Sequence, residues 1–124
     1  MSTPMRAFAS PSEPSPAAEG PAIDLPHLER MTLGERSLQR EVLALFERQA
    51  ELLLPRLRCG DRAAVAMLAH TLKGSARGIG AWRVAAAAEA VEQAAETERL
   101  AAIDALAAAV AEIKAEIAGL LAVR

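Results

Sequence analysis

Apolar residues return along most of this chain at steps of three and four, the rhythm of helices that bury one face. In ERSLQREVLALFERQAELLLPRLR, the positions Leu38, Val42, Leu45, Phe46, Leu52, Leu53 and Leu57 set out a one-sided amphipathic helix. Pro55 falls near its end, where it should kink or loosen the last turn. Cys59-Gly60-Asp61 reads as a helix stop followed by an N-cap. A further helix begins at Arg62 and runs at least to Ser75, with a seam of Val65, Leu68, Ala69, Leu72 and Ala76, joined by Ile79 if the helix continues. From Ala81 the pattern resumes with Val84, Ala88, Val91 and Ala95. Ile103, Leu106, Val110, Ile113, Ile117 and Leu120 then form a heptad-like seam.

Two choices complete the prediction. Between Ala81 and Ala118 there is neither Gly nor Pro, so one helix of about 57 Å could be written through the segment. A turn near Thr97-Glu98-Arg99 gives instead two helices matched in length to their neighbours. Upstream, Asp24 can cap a short helix over Leu25 to Met31, with Pro26 tolerated in its first turn and an end near Thr32-Leu33-Gly34. The predicted fold is all-α: an up-down antiparallel four-helix bundle over residues 23–124, its open end covered by the short N-terminal helix.

Composition narrows this picture. The chain has 124 residues, room for one domain, and 52% of them are apolar, enough for a real core. Alanine dominates and only Phe8, Phe46 and Trp82 are aromatic, which favours closely packed helices over a β-sandwich. Residues 1–22 read as a disordered Pro/Ser-rich tail, since six of the seven prolines fall in the first 26 residues. That stretch lacks the continuous apolar run of a signal peptide. The formal net charge of -2, with both signs interspersed, announces neither nucleic acid nor a membrane surface. No apolar run is long enough to span a bilayer. Cys59 is the single cysteine, which excludes an internal disulfide, suggests a cytoplasmic protein and is expected to be a buried, inert thiol. Two distant histidines and one cysteine have no metal-ligand spacing, and His27 reads as structural or solvated.

HTLKGSARGIG, residues 70–80, departs from the alanine-rich background: it holds three of the seven glycines, a histidine and two cations. Side chains three, four and seven apart share one helix face, and His70, Lys73, Gly74 and Arg77 have that spacing. His70 lies about 200° around the cylinder from Leu68, away from the buried seam and alongside Ala63, Ala66 and Met67. A lone surface histidine is ordinarily a solvated polar residue, and surface Lys and Arg ordinarily solvate. Gly74 is harder to set aside, because a mid-helix glycine costs about 1 kcal/mol against alanine. All four have a use if the imidazole carries a phosphoryl group. The neutral ring is a nucleophile, Lys73 and Arg77 neutralise phosphoryl oxygens, and Gly74 clears space for a partner's loop. Gly78 and Gly80 read as the turn after the helix.

AHTLKGSARGIGAWRVA resembles the signature of histidine-containing phosphotransfer (HPt) domains, carried here by His70, Lys73, Gly74 and the Ile79-Gly80 pair. The resemblance extends over roughly residues 22 to 122. It implies that His70 is the phosphorylated residue, relaying phosphate between receiver-domain aspartates in a multistep two-component phosphorelay. It also implies as partners a hybrid histidine kinase and response-regulator receiver domains, with Mg2+ in the receiver and no cofactor here. Many family members place a glutamine on the following helix to hold the imidazole. An ungapped count puts Glu92 there, with Gln93 beside it, so either could orient the ring.

Three other readings compete. GSARGIG also fits the GxxxGxG pattern of short-chain dehydrogenases, but VAMLAHTLK before it has helical, not strand, periodicity. A non-catalytic dimerisation or adaptor protein could pair chains through the 103–120 seam, whereas the phosphotransfer reading expects a monomer. Autonomous kinase activity is not expected, since no glycine-rich nucleotide site is present.

Overall fold

The computed structural model describes residues 20–123, and among them there are five α-helices and no strand. They are α1 (Leu25–Met31), α2 (Arg36–Cys59), α3 (Arg62–Ile79), α4 (Trp82–Gln93) and α5 (Arg99–Val123), with a 3-10 turn at Glu96–Glu98 before α5. α2 packs on α3, α3 on α4, α4 on α5 and α5 back on α2, while α1 lies against α3. Among the described residues no helix is long and apolar enough to cross a membrane. Most of the stretch read as a tail, residues 1–19, lies outside the described residues. Of its remainder, Ala22 is buried and joins Ile23 in the core.

Local chemistry sets the helix ends. Asp24 caps α1 by accepting a hydrogen bond from the His27 amide at 3.2 Å, and Asp61 caps α3 by accepting from Ala64 at 2.9 Å. α3 continues past Ser75 to Ile79. Gly78 is therefore an exposed helical residue and only Gly80 belongs to the turn. Gly80 adopts φ +82, and the Ala81 amide reaches back to the Ala76 carbonyl at 2.8 Å, a Schellman closure. α2 runs through Pro55 to Cys59, whose side chain is exposed rather than buried, because it lies two residues, about 200°, around the helix from the buried Leu57. The break before α5 begins earlier than Thr97: Ala94 and Ala95 are extended, so Ala95 is exposed and outside the α4 seam.

The seams of α3 and α5 match their periodicity, with Leu68 and Leu120 only half-buried. That of α2 is displaced. Its buried residues are Gln39, Leu43, Phe46, Ala50, Leu53 and Leu57, while Leu45 and Leu52 are 56% and 68% exposed. The steps of four and three from Gln39 keep one narrow stripe inward, and Leu45 and Leu52 sit one residue, about 100°, off it. Gln39 is admitted because its amide donates to Thr32 Oγ1 at 3.1 Å, and that hydroxyl donates to the Leu28 carbonyl at 2.7 Å.

On α5, Ile103, Leu106, Val110, Ile113 and Ile117 are all buried in the bundle. Withdrawing them to pair with another chain would forfeit about 8–15 kcal/mol, the whole stability of an ordinary domain. The seam is spent inside the fold, and the adaptor reading loses its surface. The dehydrogenase reading lapses as well, because Gly74 and Gly78 lie within a helix.

Gly80 carries the sharpest local constraint. A Cβ there would lie 3.0 Å from the Asp24 carbonyl oxygen and 3.2 Å from His27 Cδ2, on a backbone that L-residues avoid. Gly80→Ala is expected to cost about 1–3 kcal/mol, read as a drop of roughly 5 °C or more in Tm by thermal denaturation. An unchanged Tm would remove this account of the turn.

Candidate functional site on α3 and α4

The α3–α4 junction is two residues long, Gly80-Ala81, and the two helices make the most extensive pairing in the fold. His70 on α3 and Glu92 on α4 are equidistant from Ala81 along the chain, so the reversal brings them side by side. Glu92 Oε2 lies 2.8 Å from His70 Nδ1, and Glu92 Oε1 lies 2.8 Å from Lys73 Nζ. The lysine contact is a close ion pair. One carboxylate thus bridges the histidine and the lysine one turn further along α3.

Burial separates the roles. The His70 side chain is 68% exposed, Glu92 23% and Lys73 12%. The ring stands in solvent while its two ionic neighbours are sheltered beneath it. An ionised carboxylate only accepts, so Nδ1 carries a proton, and in the neutral ring Nε2 then holds the lone pair. Among the described residues nothing hydrogen-bonds Nε2, which leaves it open to an incoming electrophile. The Lys73 ammonium first, and the His70 hydrogen bond second, hold the Glu92 carboxyl below its usual range.

The other predicted residues are placed differently. Arg77 turns towards Glu89, 3.6 Å from its carboxylate, and stays half-exposed. Gln93 donates to Glu89 Oε2 at 3.3 Å and does not reach His70. Periodicity could have separated the two candidates: Glu92 follows the buried Ala88 by four residues, whereas Gln93 follows Glu89 by four and shares its outer face. At Gly74 a Cβ would meet nothing within 4 Å, so no packing inside the chain demands glycine there. Met67, one turn before His70, is exposed. His27, which offered no partner in the sequence, packs edge-on against Trp82 with ring centroids 4.9 Å apart. Among the described residues no cluster of three His, Cys, Asp or Glu side chains could hold a metal.

A family model for the Hpt domain matches residues 38–123, well over half of the chain. The protein belongs to the Hpt domain family. As an Hpt domain it has a phosphotransfer role in two-component signalling, a family whose members interact with response-regulator receivers and kinases. The match takes in His70, Lys73, Gly74 and Glu92, and begins after α1, so Asp24 and the first helix lie outside it. No curated protein and no solved structure matches the chain.

The lowered Glu92 carboxyl has a consequence for stability. Its folded value lies below its unfolded one, so its contribution is fully present above the unfolded carboxylate pKa. That contribution is lost as pH falls through the folded value. Wild type should therefore exceed Glu92→Gln in stability by more at pH ~7 than at pH ~3, measured by urea unfolding at both. A difference that does not change with pH would mean that Glu92 is not ionically engaged.

Proposed function

We propose that this Hpt domain is a histidine phosphotransfer protein that relays a phosphoryl group between receiver-domain aspartates of a multistep phosphorelay through His70. The observation that carries the reading is the division of the imidazole: Nδ1 is held by Glu92, and Nε2 is exposed and unpartnered. In the forward step the Nε2 lone pair attacks the phosphorus of an aspartyl phosphate on the receiver. The N–P bond forms as the P–O bond to aspartate breaks, and the aspartate leaves as a carboxylate. The positive charge left on the ring is balanced by Glu92 through Nδ1–H. Reversal on a second receiver returns the ring to its neutral form.

Each neighbour has a part in this scheme. Lys73 keeps two further N–H donors beyond its contact with Glu92, and these can meet phosphoryl oxygens. Arg77 lies two turns along α3 from His70 and, released from Glu89, adds a second cation. Gly74 leaves the surface beside the ring flat, so a receiver's active-site loop can approach. The receiver brings Mg2+ and the acceptor carboxylate, and a hybrid kinase supplies the phosphate. Glu92, not Gln93, orients the ring.

The same reading takes α2–α5 as an up-down antiparallel bundle capped by α1, supported by the two-residue junctions and the closed order of packing. It takes the protein as a cytoplasmic monomer. The internal use of the α5 seam and the exposed free Cys59 thiol support that view.

Two experiments test the function. Wild type incubated with a phosphorylated receiver domain should acquire acid-labile, alkali-stable phosphate, and His70→Gln should acquire none. Phosphate on the variant would overturn the assignment. Gly74→Arg should keep wild-type helicity, since its Cβ meets open space, yet slow transfer at least tenfold by blocking approach, a loss of about 1.4 kcal/mol or more. Unimpaired transfer would dispose of the clearance argument.

A further inference from the structure

Glu92 can hold His70 only if α4 lies at the right angle to α3, and α4 brings mostly small side chains to their extensive contact. It has 12 residues, and its buried side chains are only Val84, Ala85, Ala88 and Val91. Small side chains raise shallow ridges, which resist sliding and rotation less than interdigitated leucines would. Neither end has a side-chain cap: Ala81 and Ala94 occupy the cap positions, and the first turn has no acidic residue.

The start of α4 is instead gripped from outside the matched Hpt region. Asp24 makes two hydrogen bonds there and a third within α1. Its amide donates to the Gly80 carbonyl at 2.9 Å, its Oδ2 accepts from Trp82 Nε1 at 2.8 Å, and its Oδ1 accepts from the His27 amide at 3.2 Å. The His27 ring closes against Trp82, and Gly80 has no Cβ to keep Asp24 away. One residue therefore joins the last residue of the α3 turn to the first residue of α4, with its own position fixed by α1.

We propose that Asp24 is a positioning residue for the His70 site. By holding Gly80 and Trp82 together it sets the angle at which α4 leaves α3, and hence the spacing at which Glu92 meets Nδ1 of His70. α1 is then more than a cover over the bundle: it supplies the brace for a site about three turns away from the α3–α4 junction. The kinetic consequence rests on His70 being the phosphate acceptor. The geometric consequence does not.

The test uses the 15N-labelled full chain and reads the His70 ring nitrogens by NMR at mildly alkaline pH, together with phosphoryl uptake from a phosphorylated receiver. Wild type should show a protonated Nδ1 and an unprotonated Nε2. Asp24→Ala, and Trp82→Phe, which keeps the ring packing but removes the donor, should retain helicity by circular dichroism. Both should shift the ring towards the Nε2–H tautomer and slow uptake about three- to tenfold, the range for loss of one or two net hydrogen bonds. Glu92→Ala, which leaves Nδ1 without its acceptor, should show the tautomer shift without any change at Trp82. Wild-type ring shifts in a folded Asp24→Ala or Trp82→Phe protein would overturn the proposal, as would a tautomer shift with undiminished uptake. Loss of helicity in both variants would also overturn it, making Asp24 a folding element only. If wild type takes up no phosphate while the tautomer shift occurs, the brace stands and the relay reading falls.

Discussion

Close approach of α3 and α4 is the constraint on which the site depends. Their buried faces carry alanine at Ala69, Ala76, Ala85 and Ala88, and alanine lets helix axes come near the short end of the usual 8–10 Å separation. A glutamate side chain on one helix can then reach a histidine and a lysine on the other. Bulkier residues at those contacts would stabilise the pair more through burial but would hold the polar groups apart. The bundle gathers its large apolar side chains around Phe46, Leu43, Leu72, Ile103, Leu106 and Ile113 of α2, α3 and α5, and α4 contributes none of them.

Within that interface one carboxylate organises two basic groups. Glu92 is sheltered enough to be held in place and is kept ionised by Lys73, while His70 projects from the same point into solvent. The arrangement is asymmetric in a chemically useful way. One ring nitrogen is committed to the protein and the other is offered outward. A glutamine at the same position could orient the ring, but it could not balance the charge that develops when Nε2 gains a substituent. Further along α3, Arg77 and Glu89 form a looser pair, and Gly74 and Gly78 leave the outer surface without bulk.

Much of this was legible from residue spacing. The one-sided faces of α3 and α5, the Asp24 and Asp61 caps and the grouping of His70 with Lys73 and Gly74 follow from 3.6-residue periodicity and local hydrogen-bond chemistry. Spacing failed where the pattern was over-supplied. The leucine-rich α2 offered two overlapping stripes, and hydrophobicity alone chose Leu45 and Leu52 over Gln39 and Ala50. The buried Thr32–Gln39 pair was invisible, since a polar side chain enters a core only when a partner elsewhere in the fold receives it. Cys59 and Gly78 were misplaced for a related reason: exposure and helix length near an end are set by what the neighbouring elements leave uncovered.

By itself the sequence determined the helices, their inward faces and the outward strip bearing the histidine, because these depend on interactions within a few residues. It also narrowed the partner of the imidazole to two adjacent residues. Only the tertiary structure decided between Glu92 and Gln93, tied Asp24 to Trp82 across 58 positions of chain and withdrew the α5 seam into the core. Each of those depends on the rotation and separation of whole helices. Those quantities come from the sum of many small packing contacts, and no short stretch of residues encodes them.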